Sequence, residues 1–423
     1  KSIFKNIFKL LPGHHITLKD NQIKIKKYWD VNFTKKNNFS EKYCLDKTKK
    51  LFEEAVKKRT MSDVPLGAFL SGGVDSSAIV ALLNKHKEGK ELKTFSVGFD
   101  HKGFNELKFA RTVSEKFNTD HHEVMFTCDD VIKLFPKIIK NFDEPFGNYG
   151  FIPTYIVSEL AKKHVTVVLS GDAGDELFGG YRRYSIFRKM RPYYAIPKIV
   201  RRILSPVITK AIDITKSEKF AKAKPLFASH ESETYFKWMS AFDDKDKEVL
   251  YTDKMKSKIT RKAFDANIPY FKYNNPIDNI NYVDLKTYLP NYGFYKVDLV
   301  TMSNSLEARV PLADYKLVEF VSSIPHSIKF KGGEAKYVLK KIMEPHLPKE
   351  ILYRKKKGFS FPQAYYLRKD LKSWAEEILM RRDGLFNNEH IKKLFKSHIN
   401  GSDHTYKLWT LIGIKEWIKN FGE

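Results

Sequence analysis

Cysteine is nearly absent: Cys44 and Cys128 are the only two in 423 residues. Two thiols build neither a disulfide framework nor a Cys-rich zinc module. A chain of this length buries a full core without such staples. The setting expected from this is reducing and cytoplasmic. Long apolar runs are missing as well. The nearest candidate, 193–214, is broken by Lys198, Arg201, Arg202, Pro206 and Lys210, so no membrane span is predicted and no membrane partner is expected. The first residues lack the apolar centre of a signal peptide. No internal repeat or low-complexity tract appears. With 42% apolar and 30% charged residues, the chain is globular and not disordered, and its length predicts two or three domains.

Acidic residues are in deficit, 50 against 76 basic, for a net charge of +26. Such an excess suits a nucleic-acid or membrane-surface partner. The lysines run along the whole chain, however, and Asn and Ile are frequent. Composition therefore points to a lysine-rich proteome and names no site.

Residues 1–32 do not read as a domain. His15–Leu18 and Ile23–Lys26, joined by a polar turn at Lys19–Gln22, predict a hairpin that needs support from elsewhere. Residues 34–40 are linker-like. From there the pattern alternates. A helix to Arg59 is followed by strands at 65–70, 94–99, 122–126 and 165–169. Helices are predicted after Gly73 and over 104–117, 129–141 and 152–163. Alternation of this kind argues a parallel, doubly wound α/β sheet. Beyond Tyr181 strand signals fade and helices dominate, as at 235–242, 284–299, 315–321, 335–343 and 407–421.

Two of these strands end in Ser-Gly turns, at the sheet edge where ligands of parallel sheets bind. The first is Ser71-Gly72-Gly73-Val74-Asp75-Ser76-Ser77. Its glycines let backbone amides approach an anion, and the following helix N-terminus adds exposed N–H groups. The lysine of the common nucleotide P-loop is absent; Asp75 stands there instead. An acid beside a phosphate is repulsive unless a divalent cation lies between them, so Asp75 predicts Mg²⁺. The second turn is Ser170-Gly171-Asp172-Ala173-Gly174-Asp175-Glu176, with three acids in five residues. Asp175 is the natural metal ligand opposite Asp75.

The first string resembles the PP-loop of the N-type ATP pyrophosphatases. The second, with Asp143-Glu144-Pro145-Phe146, Tyr288-Leu289-Pro290, Ser305 to Pro311 and Lys336-Tyr337-Val338-Leu339, resembles the glutamine-dependent asparagine synthetase family. The resemblance runs nearly end to end. It implies a PP-loop (adenine nucleotide α-hydrolase-like) fold over residues 33–423, with a nucleotide-binding core at 33–185 and a mostly helical part at 186–423 completing the site. Residues 1–32 would be the remnant of an N-terminal glutaminase domain. The implied reaction is adenylation of the aspartate side-chain carboxylate by ATP–Mg²⁺ with release of pyrophosphate, then attack by ammonia to give asparagine. Ser71, Gly72, Gly73, Asp75 and Ser76 would hold pyrophosphate and metal, and Asp175 the same metal. Phe69, Val97, Ser170 and Gly171 would contact AMP, and Lys336 would bridge the phosphates. Arg354 and Lys357 are further phosphate candidates, Glu307 and Arg309 a structural pair beside the site. A homodimer fits the same reading.

Four positions depart from the family pattern. Asp172 stands where the family commonly has Glu, an acid tied to forming the acyl-adenylate. That opens an alternative acceptor, such as a sugar acid in surface-polysaccharide synthesis. Leu299 and Ala313 also depart from the pattern. Residue 1 is Lys, whereas the glutaminase reaction needs an N-terminal Cys. Ammonia is therefore expected from a glutaminase domain or subunit outside this sequence. A tRNA-modifying PP-loop enzyme is the remaining alternative; the charge favours it and the second acidic turn opposes it.

Overall fold

The computed structural model describes residues 2–421, apart from 35, 37, 87, 88, 90, 102, 216–223, 228, 229, 260–262, 356, 357, 359 and 360. The chain opens with a hairpin of β1 (His14–Lys19) and β2 (Gln22–Lys27), paired in register from His14↔Lys27 to Lys19↔Gln22. Asp20 and Asn21 supply the positive φ of its tight turn (49° and 56°). Its flanks tether it to the body: Lys286 Nζ donates to Pro12 O (2.9 Å), and Trp29 Nε1 to Glu319 Oε1 (2.7 Å).

Next comes α1 (Glu41–Lys58), capped by Ser40, whose side chain accepts from Tyr43 N. Its buried stripe is Cys44, Thr48, Leu51, Phe52 and Ala55. The sheet then begins with β3 (Leu66–Phe69) and proceeds through α2 (Val74–Asn84), β4 (Lys93–Phe99), α3 (Leu107–Phe117) and β5 (Asp120–Phe126). After α4 (Cys128–Ile139) and α5 (Phe151–Lys162) come β6 (Val167–Leu169) and the short α6 (Gly174–Phe178). With β7 (Glu307–Arg309) they form a five-stranded sheet in the order β5-β4-β3-β6-β7, and all its strand pairs are parallel.

Both faces are covered, so central strands read as continuous apolar runs; β6 is buried throughout. One core joins α1 and α2 to Val338 and Leu339. Another gathers Phe135 and Ile152 with Trp409. The chain steps outward from β3 to β5, then returns to β6 on the other side of β3. The strand order thus reverses between β3 and β6, and the crevice opens there at their carboxyl ends.

Helices dominate beyond Tyr181 as expected, with one short strand among them: β7 (Glu307–Arg309) pairs with β6, from Val167↔Glu307 to Leu169↔Arg309. It is three residues long and polar, so it carries no apolar signal. The helix read over 284–299 is two pieces. Asp284–Phe294 is a π-helix containing Pro290, and α-helical geometry resumes over Tyr295–Met302. A proline removes one backbone donor, and wider i→i+5 bonding accommodates it. Later helices include Tyr315–Ser323, Tyr337–Met343 and Thr405–Phe421.

Candidate active site

Because β3 and β6 are neighbours, both Ser-Gly turns emerge side by side. The first turn is wired by its own serines. Ser76 Oγ accepts from Ser71 N (3.2 Å), lies 3.0 Å from Ser71 Oγ, and donates to Gly73 O (3.2 Å). Ser71 Oγ accepts from Gly73 N (3.4 Å). The amides an anion would need are thus already pointed at hydroxyl oxygens. Ser96 Oγ donates to Leu70 O, which ties the turn to β4. The second turn is held from its outer side, where Ser170 N donates to Arg309 O (2.8 Å). The unexpected strand β7 therefore positions it. Arg309 pairs with Glu307 (2.6 Å) and donates to Met61 O (2.7 Å), the structural role its sequence context suggested.

The turns are in van der Waals contact. A Cβ added at Gly174 would fall 2.3 Å from Asp75 Oδ1, and one at Gly180 would fall 1.9 Å from Asp175 Oδ1. Only glycine admits both carboxylates at this spacing. Between them sits the Lys336 ammonium, 2.7 Å from Asp175 Oδ1 and hydrogen-bonded to Asp75 Oδ2. Lys336 is 4% exposed and precedes helix Tyr337–Met343 in the left-handed region (φ 58°, ψ 28°). Ala173, at the head of α6, is also left-handed (φ 70°). Non-glycine residues in that region are strained and tend to gather at functional sites. Burial alone would pull the lysine pKa down. The Asp175 and Asp75 carboxylates outweigh it and hold the ammonium charged, well above its ordinary value.

The remaining expected residues fall around this centre. Phe69 ends β3, and Val97 lies two residues short of the end of β4, paired with Val124. Asp172 is drawn back onto its own turn, where its Oδ2 accepts from Ser170 Oγ. Arg354 borders the first turn: its guanidinium lies 4.5 Å over the Phe109 ring and pairs with Glu106. Lys357 lies outside the described residues. Among the described residues no cluster of three or more His, Cys, Asp or Glu suits a metal. A two-carboxylate site fits Mg²⁺ nonetheless, since that ion commonly takes one or two protein carboxylates and completes its shell with phosphate oxygens and water.

Glu176, one of the three clustered acids of the second turn, is the buried one. It is 3% exposed, and Oε1 accepts from Tyr181 OH (2.8 Å). Burial, reinforced by Asp175, pushes its pKa up to about 7. Behind it Asp284 accepts from Arg183 Nε (2.9 Å), Tyr235 OH (2.6 Å) and Tyr184 OH. Nothing in the local sequence signals this cluster, because Arg183 and Asp284 are 101 residues apart.

A parallel sheet with two glycine turns at its switch point, each offering an aspartate, defines the PP-loop class of nucleotide-binding domain. Comparison with known proteins agrees: residues 47–419 match the Asparagine synthase family, and the chain belongs to that family. It is 31% identical to glutamine-hydrolysing asparagine synthetase 1 of Bacillus subtilis over 422 residues, 97% of this chain and 65% of that protein. It is 31% identical to a putative glutamine-hydrolysing asparagine synthetase of Mycobacterium tuberculosis, over 91% of this chain and 59% of that protein. A Penicillium rubens protein called an amidase is 24% identical over 86% of this chain and 60% of its own length. The chain thus spans less than two thirds of the length of these relatives.

Proposed function

We propose that this chain is the synthetase portion of an amide ligase. It activates a carboxylate with ATP, releases pyrophosphate, and passes the activated acyl group to ammonia. The observation that carries this reading is the convergence of Asp75 and Asp175 on one cation at the switch point. Two carboxylates so close require positive charge between them. In the nucleotide complex Mg²⁺ would be held by the same pair, supplying charge neutralisation to the triphosphate.

The protein's own groups account for the rest. Ser71 N and Gly73 N would exchange their hydroxyl acceptors for pyrophosphate oxygens, with Gly72, Ser76 and the N-terminus of α2 beside them. Phe69, Val97, Ser170 and Gly171 would flank the adenosine through backbone groups. Lys336, transferred from carboxylates to phosphate, would offset the negative charge that builds on the leaving group. Lys357 is a further phosphate contact in this reading, and Asp172 faces the acyl end. Residues 33–185 would form the nucleotide core and 186–423 complete the site. Residues 1–32 would continue from a glutaminase domain that supplies ammonia.

Aspartate is the first acceptor to test. Asp172 favours a second reading, in which another carboxylic acid is amidated. It is one methylene shorter than glutamate, and its Oδ2 accepts from Ser170 Oγ. ATP–pyrophosphate exchange decides between them: stimulation by aspartate alone supports asparagine formation, and stimulation by another acid alone replaces it. Asp75→Asn should abolish exchange while leaving the unfolding midpoint within a few degrees of wild type. Exchange at the wild-type rate would remove the metal role of Asp75.

A further inference from the structure

The segment that came nearest to a membrane span in the sequence folds as a surface helix, Lys198–Ile214. Its inner side half-buries Leu204, Ile208 and Ile212, and Arg201 is buried with Nε donating to Ile196 O (3.0 Å). Its outer side is apolar too. Ile199, Ile203, Val207 and Ile214 are 66%, 67%, 63% and 74% exposed. At about 100° per residue these four fall within an arc of roughly 80°. Lys198 and Arg202 border the stripe and Lys210 lies within it, all exposed.

Along the sequence the basic charge is densest in the stretch that contains this helix. Residues 182–224 contain thirteen Lys and Arg against two Asp and Glu, so eleven of the twenty-six net positive charges sit in 43 of 423 residues. A contiguous branched-aliphatic stripe exposed to water marks an interaction surface. Bases beside it select an anionic occupant.

We propose that this helix face docks on an anionic lipid bilayer. The four aliphatic side chains would enter the boundary between headgroups and acyl chains, while Lys198, Arg202 and Lys210 reach lipid phosphates. The helix would lie in the plane of the bilayer surface; no helix among the described residues is long and apolar enough to cross a membrane. A second copy fits the face poorly. Parallel two-fold pairing would set the three bases against their own copies, and antiparallel pairing would set Arg202 against Lys210, with one acid, Asp213, in 198–214. A nucleic acid would satisfy the bases but not the stripe, which carries no aromatic ring for base stacking.

Co-sedimentation of the purified chain with lipid vesicles tests the assignment. Binding should be weak to pure phosphatidylcholine, rise with added phosphatidylglycerol, and fall with salt. The pair Ile203→Asp and Val207→Asp should weaken binding about tenfold or more. It should leave the melting temperature unchanged, because both residues are exposed. Changing Lys198, Arg202 and Lys210 to Gln should erase the preference for phosphatidylglycerol. Equal pelleting of the Asp variant, or no preference of the wild type for anionic vesicles, overturns the proposal. So does vesicle-independent dimerisation in sedimentation velocity that the Asp variant abolishes, which would assign the face to a second copy.

Discussion

Replacing Lys336 by methionine keeps the length of the side chain and deletes the charge. Its ammonium group has a side-chain exposure of 5%, and both aspartates it joins have one of 20%. Removing one partner of a fully buried pair costs about 3–5 kcal/mol, mostly through the charge left uncompensated. Here water reaches the carboxylates and screens part of that cost, so the expected loss is ~2–3 kcal/mol. Urea unfolding at neutral pH would read it as a lowered midpoint with an unchanged slope. A second substitution, Asp175→Asn, should recover about half of the loss by relieving repulsion between the carboxylates. Millimolar Mg²⁺ should raise the midpoint of the Lys336→Met protein more than that of wild type, because only the variant leaves the aspartates without a counter-charge. A loss below ~0.5 kcal/mol, or no recovery in the double variant, would refute the account of Lys336 as the cation the two aspartates share.

Two other substitutions probe the surroundings. Gly174→Ala sets a methyl 2.3 Å from Asp75 Oδ1 and 3.1 Å from Leu312 Cδ1. It should lower stability by ~2 kcal/mol and pyrophosphate exchange by about 100-fold; near-wild-type exchange would mean the turns are not in contact. Glu176 has a folded pKa of about 7 against an ordinary 4.5, so the native state favours its protonated form. The stability this group contributes is full below pH ~4.5 and is lost as pH rises toward ~7, by about 3 kcal/mol. Glu176→Gln should remove that slope, so unfolding midpoints at pH 5 and pH 8 should differ less in the variant than in wild type. Parallel curves would show that Glu176 does not titrate in this window.

The sequence made both glycine turns readable, because an apolar run, a Ser-Gly break and a buried helix are all local features. The same holds for the hairpin, whose polar turn separates two short alternating strands. What escaped was non-local. β7 is Glu-Ala-Arg, and it is a strand only because Val167–Leu169 offers it a free edge. The π-helical stretch around Pro290 repeats every few residues much as an α-helix does, so periodicity does not distinguish them. Lys336 was assigned to phosphate through family resemblance. Its place between Asp75 and Asp175 depends on a left-handed backbone that no propensity predicts for lysine. Glu176, in an acidic run, would be expected in water; its burial follows from α6 turning inward under Tyr181.

The order in which the chain leaves the ribosome has a consequence for this centre. Both aspartates emerge long before Lys336, which lies 261 residues after Asp75. A nascent chain that has built β3 and β6 therefore holds two opposed negative charges whose own counter-ion has not yet been translated. Closing the gap depends on the distal half docking across the sheet, which makes assembly of this charged centre a late event. Unfinished chains would then carry both glycine turns without the lysine that balances their aspartates.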